Sequence, residues 1–234
     1  MKKGKARLAV TMILKVVIFC SALIGTALTA IANEKMFMNG SAAFMYFTIQ
    51  SNILVALISL VGAIFWMKNS MPGNGWYVFK FVGTVAITLT GVVFCFVLAP
   101  TLGDLAWNVQ NVLTHVVTPI LSVIDFFVVG TDSEIKKGSV VTVTIPPILY
   151  AIYAGIGYVR GWEFAPGYNY PYFFLNWGSP AGAFGFTGEL PFMGTAWWIL
   201  AILVFLIVIG TVYLLILDVL KGRRRCLFGK AVGK

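Results

Sequence analysis

Six runs of apolar residues, each close to the length needed to cross a lipid bilayer, fill most of this chain and leave little room for another architecture. They cover roughly 8–32, 44–66, 79–100, 108–130, 139–160 and 195–220. A hydrocarbon core takes ~20 apolar residues per helical crossing. Within that core every backbone N–H and C=O must be paired internally, which restricts spanning structures to helices and closed barrels. The alternating ten-residue pattern of a barrel is absent. The expectation is an all-α, polytopic six-transmembrane helix bundle, a single integral membrane domain over 1–234. With 59% hydrophobic and only 11% charged residues, nothing remains for a soluble domain.

A formal net charge of +9 raises the question of a nucleic-acid partner, but the positions of the basic residues answer it. Lys2, Lys3, Lys5 and Arg7 precede the first run, Lys68 and Lys80 flank the second connection, and Lys136 and Lys137 lie in the fourth. Lys221, Arg223, Arg224, Arg225, Lys230 and Lys234 follow the last, making fourteen of seventeen on one side. Only Lys35 and Arg160 fall opposite, while Lys15 sits near the inner end of the first run and is expected to snorkel inward. The positive-inside rule then places both termini in the cytoplasm, and the even number of spans agrees. No nucleic-acid partner is expected.

The start of the chain has a basic stretch and an Ala30-Ile31-Ala32 sequence like a signal-peptide cleavage site, but its apolar run exceeds a signal's usual 7 to 15 residues, so it reads as a retained span. Cys20 and Cys95 lie within spans, and Cys226 reads as a plain juxtamembrane cysteine. Three dispersed cysteines and one histidine supply neither a disulfide framework nor a metal cage nor paired haem ligands, so no metal or cofactor is expected.

One connection is long. Residues 161–194 carry Pro166, Pro171, Pro180 and Pro191, which rule out one regular helix. Trp162, Tyr168, Tyr170, Tyr172 and Trp177 are rings of the kind that settle at headgroup depth. Two readings stand: an interfacial aromatic belt, or a lid over a cavity in the outer leaflet.

The sole histidine belongs to a pattern. Asn108, Asn111, His115, Thr118, Ser122 and Asp125 recur at spacings of 3, 4, 3, 4 and 3, which puts them on one stripe of a helix. So polar a stripe belongs against the bundle interior or a wet cavity. Pro119 removes a backbone hydrogen bond just after His115. The second span carries Thr48, Gln50, Ser51 and Asn52. At 1.5 Å per residue, Thr48 and His115 lie roughly 6 and 10 Å in from the same side, so hydroxyl and imidazole share one depth.

A threonine activated by a histidine base is one form of nucleophilic catalysis. Asn52, Asn108 or Asn111 would then be candidate donors to an oxyanion. Asp125, roughly 15 Å further along the helix, is too distant to orient the histidine. Helix-to-helix hydrogen bonding is the plainer reading of such a stripe, and a transport pathway lined by it is a third.

The pieces Tyr46-Phe47-Thr48, Asn111-x-x-x-His115 followed by Pro119 and Asp125, and Tyr170-Pro171, in this order on six spans, resemble the androgen-induced and androgen-dependent membrane protein family and its six-span bacterial relatives. The animal members hydrolyse fatty acid esters of hydroxy fatty acids. The resemblance covers most of the chain and implies Thr48 as nucleophile, His115 as base, and a membrane lipid or fatty acid ester as substrate entering from the bilayer. Asp125 stands where the animal members have Glu, and the Thr48 to His115 interval is shorter. The Phe47-Thr48-Ile49-Gln50-Ser51-Asn52 stretch is nearer the bacterial branch, which implies a bacterial cell membrane.

Overall fold

The computed structural model of the chain describes residues 5–32, 38, 40–70, 72–130 and 132–232; for residue 5 and for 223–232 only the backbone is described. Lys2, Lys3, Lys35, Lys234 and the side chain of Cys226 therefore lie outside the described residues. Six helices are long and apolar enough to cross a membrane: α1 (Ala6–Ala30), α2 (Phe47–Met67), α3 (Asn74–Ala106), α4 (Val109–Gly130), α5 (Lys137–Val159) and α6 (Thr195–Gly222). The chain is an all-α helical bundle with no strand among the described residues, and by the length and composition of its helices an integral multi-pass membrane protein.

The ends of the helices follow from local sequence. Asn69, in the left-handed region at φ 50°, closes α2: its N–H bonds the Trp66 carbonyl, and the Ser70 N–H reaches back to Phe65. Gly161 at φ 65° does the same for α5, with Gly161 N–H on Tyr158 and Trp162 N–H on Gly157. Both are Schellman closures, which need a residue tolerant of positive φ. At the start of α4 the Asn108 side chain accepts the Asn111 N–H at 2.9 Å, an N-cap.

One end of the bundle carries Arg7, Lys68, Lys136, Lys137 and Lys221, and the other carries the 161–194 strap; these are the basic end and the strap end below. Near the basic end, Arg7 pairs with Asp132 at 2.9 Å, donates to the Val128 carbonyl at 2.7 Å and lies over the Trp66 ring at 5.5 Å. Deeper in the bundle is a three-residue ion cluster. Lys15 of α1 donates to both oxygens of Asp125 at 3.0 and 2.8 Å, and Lys80 of α3 contacts the same Oδ2. Lys15 does not snorkel: its side chain is 2% exposed and that of Asp125 is 1% exposed. A buried carboxylate on α4 captures it, because an unpaired charge at that depth is far costlier than a paired one. Lys80, inside the expected third span, is in the second turn of α3 and is buried. Gly62 of α2 passes this cluster with bare backbone, since a Cβ there would lie 3.2 Å from Lys15 Nζ.

The strap divides into two parts. Phe164, Tyr172, Phe174 and Leu175 fold inward and pack with Tyr46 and Tyr150 in one hydrophobic cluster, whereas Phe184, Phe186, Leu190 and Phe192 are exposed. The first part is a roof over the bundle, and the second presents apolar surface outward. Trp162 and Tyr168 stay exposed in keeping with an interfacial belt, but Tyr172, grouped with them by composition, is buried.

Candidate functional site

Thr48 is the second residue of α2, in the first turn, where the helix leaves backbone N–H groups without internal partners. His115 lies seven positions into α4, and the two side chains meet: Thr48 Oγ1 is 3.3 Å from His115 Nε2, with the residues 5% and 2% exposed. The depth match inferred from the sequence is thus a direct contact.

The other ring nitrogen identifies which one carries hydrogen. His115 Nδ1 is 3.1 Å from the Asn111 carbonyl oxygen, which only accepts, so Nδ1 bears the hydrogen. The Thr114 hydroxyl, 3.0 Å from Nδ1, already donates to the Gln110 carbonyl at 2.8 Å and is a second acceptor there. Nε2 therefore presents a lone pair to the Thr48 hydroxyl. Phe94 stacks on the imidazole with centroids 3.9 Å apart and planes at 19°, fixing the ring's tilt. A backbone carbonyl and an aromatic face orient this histidine where a soluble triad uses a carboxylate.

Local helix geometry delivers the ring to this place. Residues Leu113–Val117 form a π-helical turn immediately before Pro119, with the Thr118 N–H bonded to Leu113 rather than Thr114. That shift frees the Thr114 carbonyl, which accepts Asn52 Nδ2 at 3.1 Å. Pro119 has no N–H to offer the His115 carbonyl. That oxygen faces α3 at Gly91, where a Cβ would lie only 2.9 Å from it. α3 carries its own π-helical turn, Phe94–Leu98, before Pro100, and Phe94 opens it. Two single-turn π-bulges, a feature common at functional sites, thus flank the Phe94–His115 stack.

Tyr172 completes the polar group. The Thr48 N–H donates to its hydroxyl at 3.4 Å, and the same hydroxyl lies 3.5 Å from Thr48 Oγ1. The ring is held by Tyr46 edge-on at 5.7 Å and by Phe174 stacked at 5.1 Å. Burial pushes its phenol above the ordinary tyrosine value, which keeps the O–H protonated and available as a donor. In the sequence Tyr172 reads as one of the interfacial rings of the strap, although it directly follows the Tyr170-Pro171 pair; the spacing of polar residues does not mark Phe94, Gly91 or Thr114 as neighbours of the site.

The three asparagines proposed as oxyanion donors are committed elsewhere. Asn52 Nδ2 is shared between the Thr48 carbonyl at 2.8 Å and the Thr114 carbonyl, tying α2 to α4 beside the dyad. Asn108 caps α4 and donates to Leu105 at 3.3 Å, and Asn111 donates its side-chain amide to Ala106 at 2.9 Å. The donors adjacent to Thr48 are its own N–H and the Tyr172 hydroxyl. Thr118 donates to Ser21 of α1 at 3.0 Å, a helix-to-helix bond, while the Ser122 hydroxyl is buried with no partner and Asp125 belongs to the ion cluster. The members of the stripe serve different ends. Among the described residues no group of three or more His, Cys, Asp or Glu is placed to hold a metal.

Two apolar hollows meet at the dyad. An apolar hollow has Thr48 and Tyr172 in its wall, together with residues of α3, α5, α6 and the strap. A shallower groove between α3, α4 and α6 reaches His115 from the other side, past Gly91 and Pro119. Comparison with known protein families, with curated proteins and with solved structures found no match.

Proposed function

We propose that the chain is an intramembrane threonine hydrolase of a bacterial cell membrane that cleaves lipid, fatty acid esters, with its basic end in the cytoplasm. The observation that carries this reading is the buried Thr48–His115 pair at 3.3 Å, with Nδ1 anchored on a carbonyl so that Nε2 is free to act as base. Proximity of an oriented base to a hydroxyl is the core requirement of nucleophilic catalysis.

In this mechanism the Thr48 hydroxyl proton passes to His115 Nε2 as Oγ1 bonds to the ester carbonyl carbon. The oxyanion of the tetrahedral intermediate is met by the Tyr172 O–H and by the Thr48 N–H at the positive end of the α2 dipole. Collapse breaks the bond to the alcohol oxygen, which takes the proton from Nε2 and leaves an acyl-Thr48 ester. A water molecule, giving its proton to Nε2, attacks that ester; the proton then returns to Oγ1 as the carboxylic acid departs.

The resemblance to the androgen-induced and androgen-dependent family supports the assignment of nucleophile and base, and the apolar cavity beside Thr48 supports a lipid substrate. A transport pathway along the α4 stripe is less well supported, because the Lys15–Asp125–Lys80 cluster closes the stripe toward the basic end. The test is a fluorophosphonate probe on detergent-solubilised protein. Wild type is expected to label, and Thr48→Ala and His115→Ala to lose labelling with unchanged melting temperature. An unlabelled wild type, or a Thr48→Ala variant that labels normally, overturns the proposal.

A further inference from the structure

The proposed reaction creates a positive charge deep in the bundle. When Nε2 takes the Thr48 proton, His115 becomes an imidazolium, although the residue is buried. An ion there is costly unless something beside it compensates the charge. A soluble Ser-His-Asp triad supplies a carboxylate for this purpose. The hydrogen-bond partners of His115 are Thr48, Thr114 and the Asn111 carbonyl, all of them uncharged. Asp125, the acid on the same helix, is already bonded to Lys15 and Lys80.

What lies against the ring is Phe94. The centroids are 3.9 Å apart and the planes differ by 19°, so the imidazole sits face-on over the benzene ring. That face is the negative part of the ring quadrupole. A cation within about 6 Å of the centroid is attracted to it, most strongly where water is excluded. Phe94 is buried, as His115 is. The backbone brings the two rings this close. Gly91, one turn before Phe94, lets α3 approach α4 until a Cβ would stand 2.9 Å from the His115 carbonyl oxygen. The π-helical turn of α4 carries His115, and that of α3 opens at Phe94. Trp107 packs on Phe94 at right angles, with centroids 5.8 Å apart and planes at 86°.

We propose that Phe94 acts through His115 as a counter-charge: its π face stabilises the imidazolium that forms as Thr48 gives up its proton, the part a carboxylate plays in a soluble triad. The neutral imidazole of the resting protein draws little from the quadrupole, so the gain falls on the transition state rather than on the ground state. The effect on rate rests on the hydrolase reading; the attraction between Phe94 and a protonated His115 does not.

Fluorine withdraws negative charge from a benzene face while hardly changing the ring's size, so it separates electrostatics from packing. Full-length protein with mono-, di- or trifluorophenylalanine in place of Phe94 is compared with wild type in one detergent. The readouts are melting temperature, the rate of fluorophosphonate labelling, and the imidazolium share of the sole histidine by nitrogen NMR at one fixed acid pH. Melting should be unchanged. Labelling should slow stepwise, by about tenfold at the trifluoro end, and the imidazolium share should fall in the same order. The same series at Phe79, exposed on α3, should move neither. A labelling rate or an imidazolium share that ignores fluorine at position 94, or that falls equally with fluorine at Phe79, overturns the proposal. A wild type that does not label, with the imidazolium share still graded by fluorine at position 94, would remove the hydrolase reading and leave the Phe94 contact standing.

Discussion

Replacing Asp125 by leucine removes the one carboxylate that holds two buried ammonium groups. The Lys15 and Lys80 side chains are 2% and 5% exposed, so neither reaches water without disturbing α1 or α3. Breaking a buried ion pair by deleting one partner costs about 3–5 kcal/mol, most of it the burden of the stranded charge. For a chain of this size each kcal/mol lowers the melting temperature by roughly 2–4 °C, so Asp125→Leu should fall by about 6–20 °C. Lys80→Met is different in kind. It leaves Lys15 bonded to both carboxylate oxygens and removes the second of two like charges crowded on Oδ2. Its cost should stay within about 1 kcal/mol. The triple variant Lys15→Met, Asp125→Leu, Lys80→Met should recover most of what Asp125→Leu alone loses. Intrinsic-fluorescence melting of the purified proteins in one detergent measures all three. Should Asp125→Leu prove no more harmful than Lys80→Met, or the triple variant melt as low as Asp125→Leu, the account of the cluster as a charge-matched lock is wrong.

Three further outcomes follow from the dyad's surroundings. Tyr172→Phe keeps the ring's packing but removes the hydroxyl that the proposed mechanism uses as an oxyanion donor; under that proposal ester turnover should fall by about 10²–10³ in kcat with little change in KM, measured with a soluble ester series. Asn52→Leu leaves the buried Thr48 and Thr114 carbonyls without their shared donor and should cost about 1–3 kcal/mol in thermal melting. Gly91→Ala drives a methyl to 2.9 Å from the His115 carbonyl; it should cost about 1–3 kcal/mol through overpacking and depress probe labelling more than an alanine at the open Gly75 does.

The six helices were legible because a membrane span must be written as a long apolar run. Their edges were less so. α3 begins at Asn74 and runs on to Ala106, because its first turn carries Asn74 and Gly75 ahead of the apolar run and its far end passes through a π-helical turn at Phe94–Leu98 and on beyond Pro100, which no periodicity announces. The dyad was legible for a related reason: Thr48 and His115 are polar exceptions in apolar runs, and equal depth could be counted from the span ends. Lys15 was misplaced because its partner Asp125 is 110 positions away, and snorkelling is the default only where no buried anion is offered. The asparagines were plausible donors by residue type alone. In the structure their bonds go to a cap, to the carbonyls of Leu105 and Ala106 at the end of α3, and to two carbonyls beside the dyad, one of them freed by the π-bulge. Tyr172, 124 positions from Thr48, reads as an interfacial ring by composition, and only the inward fold of the strap brings it to Thr48.

The central claim is that Thr48 Oγ1 becomes covalently acylated with His115 as its base. It is tested most directly by reacting the protein with an activated fatty acyl ester, quenching in acid and mapping the acyl mass by peptide sequencing. The account predicts one acyl group on Thr48, absent from His115→Ala under identical conditions. An adduct on a cysteine or another hydroxyl in place of Thr48, or undiminished acylation of Thr48 in His115→Ala, would contradict it.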